Sequence, residues 1–301
     1  LFPWHKRGHW VPFLAIVLIA GCAAPAWQQL PAGARAEIVH THFALRVVWR
    51  QSPDTADSPL IVAIDGDGRP WLHRTRIARN PTPGDPLLWQ WFSQWQEQAL
   101  YLGRPCYFSR TLNASDPACS PYWYTNGRYS KAVVDSLGLA LQRLAPTRPL
   151  ILLGHSGGGT LAMLLASRLP NTCAVVTLAG NLNVAAWTSA HHYSPLSGSL
   201  DPARQPPLPP RIGQWHLYSN RDKNIQAGWI LAEAQRQQAH ALAEPASSHE
   251  KGWLRLWPRI NTLLKLQVLP YCRHPHALSL SSGSGDTQPI TASGRLENPA
   301  K

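Results

Sequence analysis

The chain has 301 residues, with 28 lysines and arginines against 16 aspartates and glutamates and a formal net charge of +12. The basic residues are scattered, without the interleaved aromatics or motifs of a nucleic-acid binder, so that class is excluded. Five cysteines include no Cys-x-x-Cys pair, which excludes a zinc-ribbon type of metal site, and the length suits one large α/β domain with a proper core.

At the N-terminus His5, Lys6, Arg7 and His9 form a basic leader. The apolar stretch 11–20 is too short for a spanning helix of about 20 residues. Ile19-Ala20-Gly21-Cys22 then sets small residues directly before a cysteine. This resembles the bacterial lipobox, which implies cleavage after Gly21 and lipidation of Cys22. Ala23, where Gram-negative sorting would otherwise read an aspartate, implies the periplasmic face of the outer membrane. The expected organisation is a lipoprotein-type signal peptide over 1–21 and an anchor or linker over 22–35. A folded α/β domain over 36–273 follows, then a disordered tail over 274–301, where composition turns to Ser, Gly, Thr and Pro. Contact with the membrane is expected through the lipid chains, with a water-soluble body.

Residues 36–50 have strand character, with His40 and His42 as exposed strand positions. After a turn over 53–59, the apolar run 60–64 reads as a buried strand that ends in Asp65-Gly66-Asp67-Gly68-Arg69. Two glycines let this loop approach a ligand, and its carboxylates are expected to pin it through bonds to backbone amides. A metal reading of Asp65 and Asp67 finds no further acidic ligands nearby. The basic stretch 69–79 reads as a solvated loop, with attraction of anionic substrates or lipid headgroups as the sharper alternative. Asn80-Pro-Thr-Pro-Gly-Asp85 is a breaker cluster, and Asp85 is expected to cap a helix running to Gln98. Leu88, Trp91, Phe92 and Trp95 are its core stripe.

Residues 100–104 read as the next strand. With Cys22 set aside, Cys106, Cys119, Cys173 and Cys272 form an even set in an exported chain. A Cys106–Cys119 bridge would contribute roughly 3 kcal/mol in the loop-closure model and would leave Cys173 to pair with Cys272. The sequence does not fix this connectivity. A helix over 128–144 leads into Leu150-Ile-Leu-Leu-Gly-His-Ser-Gly-Gly-Gly159 and a helical segment over 160–168.

Strand, Gly-x-Ser-x-Gly and helix together make a nucleophile elbow centred on Ser156. The sharp turn strains the serine backbone, so its neighbours two residues away must lack bulk. The helix start points free amides at charge developing beside the serine. Gly157 with Gly66 or Asp67 is the expected oxyanion hole. The acid and base follow in chain order. Asp222 lies in a polar turn after the strand 214–220, where α/β sheets place their chemistry. His249 lies between a strand over 239–245 and a helix over 257–268. Among the rivals, His155 reads as packing or pocket wall. His191 and His192 sit in a proline-rich insertion over 181–210, expected to contain no helix and to wall the site. His240 lies in a strand, and His274 and His276 precede the tail.

These features resemble the α/β-hydrolase superfamily, and more narrowly a group of proteobacterial α/β-hydrolase lipoproteins. The likeness is carried by Ile64-Asp-Gly-Asp-Gly68, Tyr101-Leu-Gly-Arg-Pro-Cys106, Tyr122-Trp123 with Arg128-Tyr129, and the elbow. It continues through Ala179-Gly-Asn-Leu-Asn183 to Ser194-Pro-Leu-Ser-Gly-Ser-Leu-Asp-Pro202, so it spans roughly residues 60 to 255. Asp65 stands where a glutamate is more usual, and Asn183 where an aspartate is. The resemblance implies a mostly parallel sheet flanked by helices, with a loop-rich insertion over the active site. Ser156, Asp222 and His249 match its triad positions. The expected activity is ester or thioester hydrolysis on a small-molecule or lipid-like acyl substrate, with no metal or organic cofactor implied. The alternatives are a peptidase of the same fold and a non-catalytic envelope lipoprotein that uses the fold for binding.

Overall fold

The apolar runs fold into strands because they are buried on both sides. A computed structural model describes residues 25–50, 58–73, 75–108 and 116–273; the leader, Cys22 and the tail lie outside them. The strands are β1 (Ala34–His40), β2 (Ala44–Arg50), β3 (Leu60–Ile64), β4 (Trp71–Leu72), β5 (Arg76–Ile77) and β6 (Ala99–Leu102). β7 (Leu150–His155), β8 (Thr172–Leu178), β9 (Gly213–Tyr218) and β10 (His240–Ala243) complete them. Eight form one sheet in the order β1-β2-β6-β3-β7-β8-β9-β10, while β4 and β5 make a small separate ribbon. The pairs β1/β2 and β2/β6 are antiparallel, and every other neighbour in the large sheet is parallel.

Alternation along the central strands sets the layers. In β3, Ile61 and Ala63 join one hydrophobic cluster while Leu60, Val62 and Ile64 join the other, and β7 divides in the same way. α1 (Leu87–Gln94) and α6 (Trp253–Leu263) cover the first face with Leu88, Trp91, Phe92, Trp253, Trp257 and Ile260. α2 (Lys131–Leu144), α3 (Gly157–Ala166) and α5 (Ala227–Gln237) cover the second through Val133, Leu137, Leu161 and Ile230. Register brings the ends of the parallel strands level: Ile64 pairs with Gly154, His155 with Leu178, Leu178 with Leu217 and Ala243 with Tyr218. The loops that follow β3, β7, β8, β9 and β10 therefore meet at one edge.

Several elements differ from the sequence expectation. Residues 36–50 form a hairpin, because Thr41 turns the chain by donating its amide (2.9 Å) and its hydroxyl (3.1 Å) to the Phe43 carbonyl. That turn uses neither Gly nor Pro, so the alternation runs through it unmarked. Asp85 does not cap α1. Pro86 occupies that place without a side-chain bond, and the amides of Leu88 and Trp89 go to Asp65 instead. α1 ends at Gln94, where Trp95 turns to extended backbone. The insertion 181–210 does contain a helix, α4 (Val184–Ala190). Its amides are met by Asn183 from the cap position and by Asp201 from across the insertion. A helix held by so remote a carboxylate leaves little local signature. α5 has no counterpart among the sequence expectations, and α6 begins four residues before the expected start, at Trp253, behind a cap at Gly252 with φ +92°. It continues through a π-helical stretch, Leu264–Val268, into α7 (Leu269–Arg273).

Two disulfides join Cys106 to Cys119 and Cys173 to Cys272, each with 5.4 Å between Cα atoms. The second ties α7 to β8, so the end of the described chain is fastened to the sheet. No helix among the described residues is long and apolar enough to cross a membrane.

Candidate active site

Ser156 sits between β7 and α3 with φ +51° and ψ −120°, a conformation that a residue with a Cβ adopts at a cost. Three hydrogen bonds hold it there. Its amide donates to Leu178 O (3.0 Å), and its carbonyl accepts from Gly159 N (2.9 Å) and Asn181 N (3.0 Å). The flanking glycines are steric requirements. A Cβ on Gly154 would overlap the backbone of Gly158, and one on Gly158 would overlap the carbonyl of Ile64.

The register of the sheet brings three distant side chains into one line. Ser156 Oγ donates to His249 Nε2 at 3.0 Å, and His249 Nδ1 donates to Asp222 Oδ2 at 2.8 Å. Because Asp222 accepts from Nδ1, Nε2 is left as the acceptor for the serine proton. Asp222 Oδ1 is held by the amides of Asn224 and Ile225, both at 2.8 Å. The His249 loop is fixed by Ser219 Oγ donating to Ser247 O (2.5 Å) and by Trp253 Nε1 donating to Ser248 O (2.8 Å). His155 Nε2 donates to the His249 carbonyl at 3.1 Å. The elbow histidine thus steadies the loop that carries His249.

The loop after β3 backs onto Ser156, whose Cβ lies 3.1 Å from where a Cβ on Gly66 would be. Asp65 accepts from Leu88 N (2.9 Å), Trp89 N (3.0 Å) and Tyr101 Oη (2.9 Å), and the Gly66 amide also faces it. This is the backbone pinning expected of that loop. Asp67 departs from the expectation, because its carboxylate is held by side chains. Arg104 Nη1 donates to it at 2.6 Å, Arg128 Nη1 at 2.9 Å and Tyr129 Oη at 2.5 Å. Burial alone would raise the Asp67 carboxyl, yet the two guanidiniums and the phenol hold it well below the usual carboxylate range. The Tyr107 hydroxyl donates to the Asp67 carbonyl at 2.8 Å. Among the described residues the amides of Asp67 and Gly157 have no protein acceptor.

Buried imidazoles near the site make stability pH-dependent. Burial, and then the His249 ring beside it, lowers the His155 pKa to about 3, and burial lowers that of His216 to about 4. A histidine whose pKa falls on folding binds fewer protons when folded, so stability drops as pH falls from about 6.5 towards the folded value. Asp65 acts the other way. Burial outweighs its donors and raises it to about 6, so its contribution weakens as pH rises from about 4 to 6. His216→Asn isolates one histidine. Its urea midpoint is expected to fall less steeply than that of the wild type between pH 6.5 and 4, and an unchanged slope would contradict a neutral buried His216.

A cleft of about 1560 Å³ opens over Ser156 and His249. Its walls include Trp71, Trp187, Tyr193 and Leu254, and Arg69, Arg221, Lys251 and Arg255 stand around it. Of the rival histidines, His192 lines this cleft, His191 Nε2 lies 2.8 Å from Asn224 O, and His240 stacks on Trp215. His274, His276 and Cys22 lie outside the described residues. Among the described residues no group of three or more His, Cys, Asp or Glu is arranged to hold a metal ion.

No family model matches the chain, and no curated protein sequence matches it. Solved structures do. The proline iminopeptidase-related protein of Thermus thermophilus aligns with a TM-score of 0.53 at 14% identity, over 78% of this chain and 99% of its own. A Burkholderia cenocepacia protein, provisionally described as an aryl esterase, aligns with a TM-score of 0.51 at 12% identity, over 78% and 99%. A protein of unknown function from Agrobacterium tumefaciens, provisionally an alpha/beta hydrolase, gives the same TM-score, identity and coverages. This chain has the α/β-hydrolase fold.

Within this α/β-hydrolase fold, the residues that sequence reasoning missed are those supporting the loop after β3. Arg104 and Arg128 belong to stretches quoted for the resemblance, but no role is legible in them from sequence. The available signal was an arginine two residues past the end of a fully buried strand, as Arg104 is after β6. A cation so close to a core asks for a buried acid, and Asp67 is that acid.

Proposed function

We propose that the protein is a serine hydrolase that cleaves an ester or thioester through an acyl-enzyme. The observation that carries this reading is the line from Asp222 through His249 to a serine held at φ +51° on an elbow. Ser156 Oγ bonds to the carbonyl carbon as its proton passes to His249 Nε2, and Asp222 offsets the imidazolium charge. The tetrahedral oxyanion takes bonds from the amides of Gly157 and Asp67. Gly66 is assigned the close approach, because its own amide is turned to Asp65. Each such donor is worth about 2.7–4 kcal/mol of barrier. The imidazolium then returns its proton to the departing alcohol or thiol. Water, deprotonated by His249, attacks the acyl carbon, and the Ser156 oxygen leaves with that proton. An alkoxide or thiolate departs with less help than an amine, which favours these bonds over a peptide.

The reading includes export and a lipid anchor on Cys22 at the periplasmic face of the outer membrane. Ile19-Ala20-Gly21-Cys22 supports it, as does the pairing of the other four cysteines in two disulfides, which suits an oxidising compartment.

The test is acid quenching of the enzyme during turnover of excess p-nitrophenyl butyrate, followed by peptide mass spectrometry. A butyryl group on the Ser156 peptide is expected, because so good a leaving group makes deacylation the slow step. Turnover with no acyl group on Ser156, or a folded protein that turns over neither esters nor thioesters, overturns the proposal.

A further inference from the structure

Arg128 is only partly accounted for by its role beneath the loop. Its Nε donates to Thr125 O at 2.6 Å and its Nη1 to Asp67 Oδ2 at 2.9 Å, whereas Nη2 donates to no group among the described residues. The side chain is buried and lines the cleft, with its guanidinium 6.0 Å from the Trp187 ring. Charge does not balance around it. Arg104 and Arg128 share the single carboxylate of Asp67, and the tyrosines beside them are neutral. Asp65 is turned away to the start of α1. One buried positive charge is therefore in excess next to Gly157, and such a charge is costly unless an anion meets it.

Asn181 supplies an independent observation. It lines the same cleft at 2% exposure, and among the described residues its Nδ2 donates to no group, so a donor stays free there, while its Oδ1, sealed from solvent, is an acceptor and takes no part in holding an anion. Its backbone amide holds the Ser156 carbonyl, so the side chain is fixed relative to the nucleophile. Buried polar groups are seldom left unmatched without a use. Apart from Asp65, Asp67 and Arg128, the cleft is lined by Arg69, Arg221, Lys251 and Arg255 against Asp85 and Glu250, and among the described residues none of these six is in an ion pair.

We infer that the acyl part of the substrate carries a carboxylate, bound by Arg128 Nη2 and oriented by an N–H of Asn181 Nδ2. This rests on the serine hydrolase reading. The leaving group must depart towards His249 Nε2, on the loop after β10. Arg128 and Asn181 line the cleft from other loops, before α2 and after β8, and Arg128 is bonded to the loop that holds the oxyanion. The acyl group is the part of the substrate assigned to them. A guanidinium suits the task because it offers directed N–H groups to a planar carboxylate.

The test compares kcat/KM for p-nitrophenyl hemiglutarate with that for p-nitrophenyl pentanoate in wild type, Arg128→Lys and Arg128→Gln. Wild type is expected to favour the hemiglutarate at least about tenfold. The ratio should fall towards one in Arg128→Gln and keep an intermediate value in Arg128→Lys. Taking the ratio within each variant cancels any damage to the oxyanion loop. A second measurement needs no variant: glutarate, and not glutaramide, should slow fluorophosphonate labelling of the wild type. Equal rates on the two esters, no protection by glutarate, or a full preference persisting in Arg128→Gln overturns the inference and leaves the hydrolase standing. Failure of wild type to react with either ester or with the probe overturns the hydrolase reading instead.

Discussion

Ser156→Ala is expected to lower kcat on an activated ester by roughly 10⁶, with folding unaffected. Among the described residues the side-chain hydroxyl makes one hydrogen bond, to His249, and alanine keeps the Cβ already accommodated at φ +51°, so the fold is expected not to depend on the oxygen. The loss is chemical, because without Oγ no acyl-enzyme forms. His249→Ala should cost nearly as much alone, and the double variant no more than either, because the two act as a unit. Asp222→Asn should cost about 10⁴, since the wrong imidazole tautomer then faces the serine. Steady-state kinetics with thermal melts of each variant check this. Additive losses, or Ser156→Ala activity within about tenfold of wild type, would contradict the assignment.

Asp67→Asn is expected to cost about 3–5 kcal/mol of stability, because it leaves two buried guanidiniums without a counter-charge. For a domain of this size the drop in Tm is on the order of 10 °C. The pH dependence has a definite sign. The Asp67 carboxyl is held below its unfolded value, so its contribution is complete above the ordinary carboxylate range and is lost as pH falls through that range towards the folded pKa. The gap between wild type and variant should be full at pH 7 and close progressively below about pH 4. Denaturant melts across this range measure it. A gap that stays constant into acid would show that the carboxylate charge is not what holds the loop. Activity should fall as well, since the amide of Asp67 is the proposed oxyanion donor and its side chain sets where that amide points.

The parts of this molecule legible in the sequence are those fixed by local rules. β3, β7 and β8 announce themselves as apolar runs of strand length, and Gly154, Gly158 and Ser156 spell out a turn whose sterics few other residues satisfy. Asp222 and His249 stand out as polar residues after strands, and the register of a parallel sheet brings such positions to one edge. What is illegible depends on partners far apart in the chain. The carboxylate of Asp65 caps a helix that begins more than 20 residues later, so Asp85 reads as the better cap. Asp201 creates α4 from across an insertion that reads as pure loop. Arg104, Arg128 and Tyr129 converge on Asp67 from two separate stretches, and no periodicity encodes a meeting of that kind.

The central claim is that Ser156 is an activated nucleophile, and fluorophosphonate labelling of the folded protein tests it most directly. One adduct is predicted, mapped by mass spectrometry to the Ser156 peptide, absent from Ser156→Ala and slowed by orders of magnitude in His249→Ala. No adduct on a folded wild-type protein, or an adduct that survives in Ser156→Ala, would contradict it.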